Sequence, residues 1–257
     1  MSKYFENFYD WWKNIDKQIL SLILGLFTLG LFFSLVSTSL IASDKLNTNS
    51  YYFFLKHLTF ILLGIIVLFF FSILNQEILM KISIILFFLT FICLVLVSFF
   101  GVEVNGSKRW LDPIFLPRFQ PIEILKPFFI LIVSILLSLN NRKLYLKYFF
   151  SAVILIPILL FLISQPDLGQ TLLITMTWLA LIFVSGINIL LFFSFFITAG
   201  LIISYLVIFV PKFEYIKLRL FAFLDSSSGN NYQSEKASEA IINGGFFGKG
   251  IGEGTLN

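Results

Sequence analysis

LGQTLLITMTWLALIFVSGINILLFFSFFITAGLIISYLVIFVP, from Leu168 to Pro211, contains no Asp, Glu, Lys or Arg. A charge at the centre of a bilayer is costly, and about 20 apolar residues make one helical crossing. A charge-free run of this length therefore holds two crossings, and Ser185-Gly186-Ile187-Asn188 is the natural reversal between them. That reading decides the fold class: an all-α, polytopic membrane helix bundle.

Outward from this stretch, the same criterion places five earlier spans. They are Ile19 to Ala42, His57 to Leu74, Ile82 to Phe100, Ile122 to Leu139 and Leu146 to Ser164, followed by Leu168 to Ser185 and Ile187 to Val210. Seven crossings result. The fourth carries Glu123 and Lys126 in its first turn, and the fifth holds Pro157, tolerable because neighbouring helices satisfy a freed carbonyl. The whole chain agrees: 257 residues, 58% hydrophobic and only 12% charged, with a mean hydropathy of +0.95. A soluble domain carries about 25% charged residues, so a soluble reading is excluded.

Composition excludes further classes. The single cysteine, Cys93, lies in an apolar run, which rules out an intramolecular disulfide and a cysteine-based metal site. A net charge of +4 without a polybasic run gives nucleic-acid binding no support. The 34 phenylalanines fit the codon bias of an AT-rich genome and carry little functional information. His57, the one histidine, begins a span with no acidic neighbour, which reads as structural and argues against a Ser-His-Asp hydrolase.

Residues 1–18 form an interfacial tail in which Tyr4, Phe5, Phe8, Tyr9, Trp11 and Trp12 interleave with Lys3, Lys13 and Lys17. No signal-peptide cleavage site follows the first span, so it stays a helix. Orientation is contested by the loop charges. With the N-terminus cytoplasmic, seven basic residues lie inside (Lys3, Lys13, Lys17, Lys81, Arg142, Lys143 and Lys147) and the other eleven outside. Near the first span, however, the three lysines of the tail outweigh Lys45, and Asn140-Asn141-Arg142-Lys143 is basic without an acid. The N-terminus is accordingly placed inside, with 101–121, Gln165-Pro166-Asp167 and 211–257 outside. A bound anion would explain the outer excess of cations.

Three segments can carry chemistry. Between the third and fourth spans, Lys108, Arg109, Trp110, Arg118, Gln120, Glu123 and Lys126 crowd a helix N-terminus, the anion-favouring end of its dipole. Arginine offers a two-pronged fork to phosphate, and Trp110 an amphipathic ring at the membrane surface. Glu123 and Lys126 share a helix face, so a purely structural ion pair with a snorkelling lysine stands equally open. Gln165 and Asp167 join the fifth and sixth spans, and capping of the sixth helix is the favoured role for Asp167. The tail from Asn243 to Thr255 is rich in glycine; Gly244, Gly245, Gly248 and Gly250 would allow bare amides to cradle phosphate or sugar, with a flexible re-entrant hairpin as the alternative. It is not a Walker loop: Gly250 follows Gly248-Lys249, and Asn243 stands at the first-glycine position. No metal-ligand cluster is evident and no cofactor is expected, although a divalent cation is compatible with a pyrophosphate ligand.

Three blocks in order, GSKRWLD (106–112) through FQPIEILKP (119–127), QPDLGQTLL (165–173), and KLRLFAFLD (217–225) through Tyr232-Gln233 and GGFFGKGIGEGT (244–255), resemble the SEDS family of shape, elongation, division and sporulation membrane proteins, represented by FtsW and RodA. The tail is more similar to the division member. The resemblance implies a fold of about ten helices, of which seven are present here, in the bacterial inner membrane. It implies a peptidoglycan glycosyltransferase that polymerises lipid II into glycan strands for septal wall synthesis, beside a class B penicillin-binding transpeptidase and other divisome proteins. In such a mechanism an aspartate of a His-Thr-Asp-like motif helps deprotonate the acceptor hydroxyl, which displaces the donor's pyrophosphate. Arg109, Arg118 and Lys126 match the family's basic residues, and Glu123 matches the carboxylate paired with that lysine.

Two departures accompany the resemblance. Ile122 replaces a serine at the helix start, which implies a lost N-cap bond. No residue up to Asn257 matches the catalytic aspartate, so the chain is expected to be a truncated portion, ending early in a large periplasmic loop (211–257) and inactive alone. A lipid-linked precursor flippase and a non-catalytic divisome scaffold are the competing functions.

Overall fold

The computed structural model describes residues 9, 11–39, 51–104, 107–113, 117–139, 143–214, 216–217, 232–246 and 248. Its elements are α1 (Lys17–Phe33), continued by a π-helical stretch Ser34–Ser39, α2 (Tyr52–Ile73), α3 (Gln76–Phe100), β1 (Val102–Val104), β2 (Ser107–Trp110), α4 (Pro121–Ser138), α5 (Leu144–Ser164), α6 (Leu168–Val184), α7 (Ile189–Phe209), a 3-10 turn Pro211–Phe213 and α8 (Tyr232–Gly244). Over their described residues the seven expected spans coincide with helices, and the protein is a multi-pass membrane helix bundle. Six of those helices are long and apolar enough to cross a bilayer. The 17 residues of α6 span about 25 Å at 1.5 Å per residue, slightly less than a hydrocarbon core of about 30 Å.

Helix ends depart from the expected boundaries for local reasons. Tyr52 rather than His57 opens α2, and Gln76 rather than Ile82 opens α3, so Lys56, Glu77 and Lys81 become helical. Backbone hydrogen bonding continues past the apolar run because charged side chains in a terminal turn can reach the headgroup layer. α7 starts two residues later than expected, at Ile189. There Gly186 takes a positive φ of 85° and the Asn188 side chain accepts from the Leu190 amide at 2.9 Å, capping the helix. Residues 40–42 of the first expected span lie outside the described residues. The all-α expectation needs one addition: β1 and β2 form an antiparallel hairpin pairing Val102 with Trp110, Glu103 with Lys108 and Val104 with Ser107.

The chain divides into two compact units, Met1–Asn75 with Asn231–Asn257, and Gln76–Asn230. In the first unit α1 and α2 run antiparallel: Trp11, just before α1, donates to Ser72 Oγ at 3.0 Å and packs on Phe69, while Gly30 meets His57. Only Leu20 of α1 and no residue of α2 is buried, as suits helices that are apolar all round and face lipid.

The second unit holds the packed core. Leu94 and Val97 of α3, Leu125, Phe129 and Val133 of α4, Ile158 and Leu162 of α5 and Ile174 and Ile182 of α6 are almost fully enclosed. Buried hydroxyls are satisfied within their own helices: Ser83, Thr90, Ser151, Thr171 and Thr175 each donate to a carbonyl of the preceding turn. Across helices, Trp178 Nε1 donates to Ser151 Oγ at 3.1 Å. Among the described residues no buried side-chain nitrogen or oxygen lacks a partner. This unit has two distinct ends. One carries the hairpin and the α5–α6 turn; the other carries the α4–α5 connection and the α6–α7 turn, where the Ser185 and Tyr148 hydroxyls lie 3.4 Å apart.

Candidate functional site

The hairpin end of the second unit gathers most of the polar side chains singled out from the sequence. Mutual hydrogen bonds between Leu111 and Phe119, at 3.0 and 3.1 Å, return the chain from the hairpin to the start of α4. Pro121 opens that helix, a position where its missing N–H costs nothing. The N-cap is Gln120, whose side chain does not cap; Ile122 lies inside the first turn, nearly fully buried. The serine-to-isoleucine departure therefore alters a buried first-turn position, and the expected loss of an N-cap bond at Ile122 is corrected.

Asp167 is the hub. Its carboxylate caps α6 by accepting from the Gln170 amide at 3.4 Å, accepts from Gln120 Nε2 at 3.1 Å and stands 3.6 Å from Arg109 Nε. Arg109 in turn donates from Nε to the Gln165 carbonyl at 3.3 Å and from Nη2 to the Pro166 carbonyl, so the hairpin grips the α5–α6 turn. Gln165 is buried and directs its amide to the Leu94 carbonyl of α3 at 3.3 Å. Four elements are thus tied together around one buried carboxylate.

One turn deeper, Lys126 Nζ lies 2.7 Å from Glu123 Oε2 and 3.0 Å from Gln170 Oε1, while Gln170 Nε2 donates to Glu123 Oε1 at 2.6 Å. The three side chains close a ring, and Gln170 joins it to the Asp167 hub through its backbone. Gln170 was not among the residues singled out from the sequence. Its signal lay in its position three after Asp167, which puts it in the first turn of a capped helix opposite Glu123.

Arg118 does not join this network. It pairs with Asp112 at 2.7 Å, both side chains being nearly half exposed. Each of the three matched cations consequently faces a carboxylate: Arg109 with Asp167, Arg118 with Asp112 and Lys126 with Glu123. The site is charge-balanced, where the sequence suggested a cationic cradle. Two of these carboxylates differ in access: the Glu123 side chain is 51% exposed, whereas that of Asp167 is 9% exposed and held on three sides.

Lys108 is exposed opposite Glu103, and Trp110 is partly buried opposite Val102. Beside them a cavity of about 510 Å³ is lined by Ser98, Glu103, Ser107, Lys108, Ser164, Gln165 and Pro166. Such a wall of hydroxyls, one carboxylate and one ammonium suits a polyhydroxylated head group. Gly244 and Gly245 belong to the other unit, where the Gly245 amide donates to the Ile241 carbonyl at 3.1 Å with φ 59°, the left-handed stop of α8. Gly248 also has a positive φ, 72°, and Gly250 lies outside the described residues. Among the described residues no group of three His, Cys, Asp or Glu converges as a metal site.

Comparison with known proteins gives a consistent pattern. The family model covering FtsW, RodA and SpoVE, described as cell cycle protein, matches residues 17–257. The chain is 28% identical over 243 residues to a probable peptidoglycan glycosyltransferase FtsW of Aliivibrio salmonicida, covering 92% of this chain and 60% of that protein. It is 31% identical over 245 residues to a protein of the same description from Coxiella burnetii, covering 92% and 64%. It thus spans about three fifths of the length of these relatives. Among solved structures, Thermus thermophilus rod shape determining protein RodA superposes with a TM-score of 0.58 at 22% identity, covering 74% of this chain and 60% of that one. A chain from a peptidoglycan synthase complex that coordinates polymerization and crosslinking superposes with a TM-score of 0.69 at 22% identity, covering 91% and 67%.

Proposed function

Because the chain belongs to the FtsW, RodA and SpoVE family of cell cycle proteins, we propose that it supplies the membrane bundle of a peptidoglycan glycosyltransferase that polymerises lipid II during division. Its setting in this reading is the bacterial inner membrane, with a cytoplasmic N-terminus, residues 211–257 periplasmic, and a class B penicillin-binding transpeptidase and other divisome proteins as partners. Support comes from the relatives described as probable peptidoglycan glycosyltransferases and from the fold shared with a chain of a peptidoglycan synthase complex.

The observation that carries the reading is the Glu123–Lys126–Gln170 ring joined to the Asp167–Arg109–Gln120 hub. A lysine held by two neutral or anionic acceptors in a partly enclosed site is preorganised to stabilise charge that grows on a departing pyrophosphate, without reorganising during the reaction. Lys126 has three ammonium protons, two of them engaged. In this mechanism the diphosphate takes the place of Glu123 on Lys126, Gln170 keeps the lysine aimed, and the cavity near Lys108 receives sugar hydroxyls.

The test uses protein expressed from its own gene, purified with its transpeptidase partner and supplied with labelled lipid II. Extended glycan strands that shrink in yield when Lys126 is replaced support the proposal. Movement of lipid II between leaflets without chain extension would show a flippase instead, and neither activity would leave a scaffold.

A further inference from the structure

The first unit contains a second polar feature, separate from the network above. A cavity of about 460 Å³ between the end of α1 and the start of α2 is lined by Gly30, Phe33, Ser34, Phe53, Lys56, His57 and Phe60. Gly30 lies against the histidine: a Cβ built there would stand 3.4 Å from His57 Nε2. Immediately beyond, the backbone changes from α to π geometry over Ser34–Ser39. Such widened turns inside helices are rare and recur at functional sites.

The lining has a clear division of labour. Lys56 supplies a cation, His57 and Ser34 supply further hydrogen-bond donors, and three phenylalanines supply apolar walls. Among the described residues no carboxylate lines the cavity. Depth is indicated by Tyr51 and Tyr52, exposed at the start of α2 where an aromatic belt meets the headgroups. Lys56 and His57 lie about one turn below; Phe33, Ser34 and Phe53 lie nearer the headgroups, at the height the Lys56 ammonium reaches by snorkelling, and Phe60 lies a turn deeper, where acyl chains begin.

We infer that this cavity binds the phosphate of an anionic glycerophospholipid from the leaflet it faces, with Lys56, His57 and Ser34 on the phosphate oxygens, Phe33 and Phe53 flanking the head and Phe60 along the first acyl carbons. The head is selected by charge and the tail by the apolar wall. The site is independent of the proposed glycosyltransferase reaction, since every lining residue lies outside the hairpin-end network.

Native mass spectrometry of the detergent-purified protein tests it, with phosphatidylglycerol, phosphatidylcholine and inorganic phosphate as separate probes. Phosphatidylglycerol should be retained, and the Lys56→Gln, His57→Gln double variant should bind it about tenfold or more weakly, the loss expected for charge-assisted hydrogen bonds. Gly30→Leu fills the cavity against His57 while keeping both polar side chains and should weaken binding too; it decides the matter if the double variant fails to fold by circular dichroism. Equal retention of phosphatidylglycerol by a folded variant, or equal retention of phosphatidylcholine by the parent, overturns the proposal. Displacement of the lipid by equimolar inorganic phosphate overturns it as well, since the apolar wall would then contribute nothing.

Discussion

The ammonium of Lys147, buried in the first turn of α5, donates to the Leu137 carbonyl in the last turn of α4 at 2.9 Å. The last carbonyls of a helix have no partner within it and form the negative end of its dipole. A cation there satisfies one of them directly. The contact pins α4 to α5 at the end of the unit opposite the candidate site.

Lys147→Met keeps the length of the side chain and removes the donor. Leaving a buried carbonyl without its charged partner costs about 1–3 kcal/mol, so the variant should melt several degrees lower in detergent. In the proposed reaction lipid II binding should be unchanged, because the contact lies at the end of the unit opposite the candidate site. An unaltered melting temperature would show that water or lipid replaces the ammonium freely.

Asp167 invites a paired comparison. Asp167→Ala removes the α6 cap, the acceptor of Gln120 and the counter-charge of Arg109 together, whereas Asp167→Asn keeps an oxygen for the cap. Loss of a helix cap alone costs about 0.5–2 kcal/mol; the alanine variant should exceed the asparagine variant by roughly that amount in thermal or denaturant unfolding. Equal effects would assign the stabilisation to charge and not to the cap.

These two residues also mark how far the sequence could be read. Asp167 was legible because an acidic residue directly before a long apolar run is a local signal, complete within one turn. The crossings were legible for a related reason: hydrophobicity is summed along the chain, so each span announces itself without its neighbours. Lys147 was counted only as a cytoplasmic cation: the end of the fourth span at Leu139 was legible, but not that the ammonium turns back to the Leu137 carbonyl. Gln170 was missed on the same ground, its two partners lying more than forty positions away. The balance of charge was hidden too, because Arg109 finds Asp167 across 58 positions (109 to 167) and not in its own loop. Local periodicity fixes elements, and pairing between elements has no local signature.

The three matched cations should not contribute equally to the proposed reaction. Removing one preorganised electrostatic donor from a transition state costs about 10²–10³ in rate, and Lys126→Ala should approach that in a lipid II polymerisation assay. Arg118 is bound to Asp112 in an exposed pair, a geometry worth about 0–1 kcal/mol, so Arg118→Ala should change the rate only a few-fold. A large loss with Arg118→Ala and none with Lys126→Ala would move the pyrophosphate to the loop.

Gln170 should act only through Lys126 and Glu123, which makes it a positioning residue. Side chains that share one hydrogen-bonded network show coupling of about 0.5–3 kcal/mol in a double-mutant cycle, while independent sites add within about 0.3–0.5 kcal/mol. In the cycle of Lys126→Ala with Gln170→Ala, polymerisation by the double variant should therefore be close to that of Lys126→Ala alone, because an amide that aims a lysine has nothing to aim once the lysine is gone. Gln170→Glu adds a finer readout. It replaces the amide that donates to Glu123 with a second carboxylate beside Lys126, holds the ammonium more tightly against an incoming diphosphate, and should raise KM for lipid II more than it lowers kcat. Strict additivity in the cycle, together with an unchanged KM in Gln170→Glu, would mean that the ring is a structural clasp and that charge stabilisation occurs elsewhere.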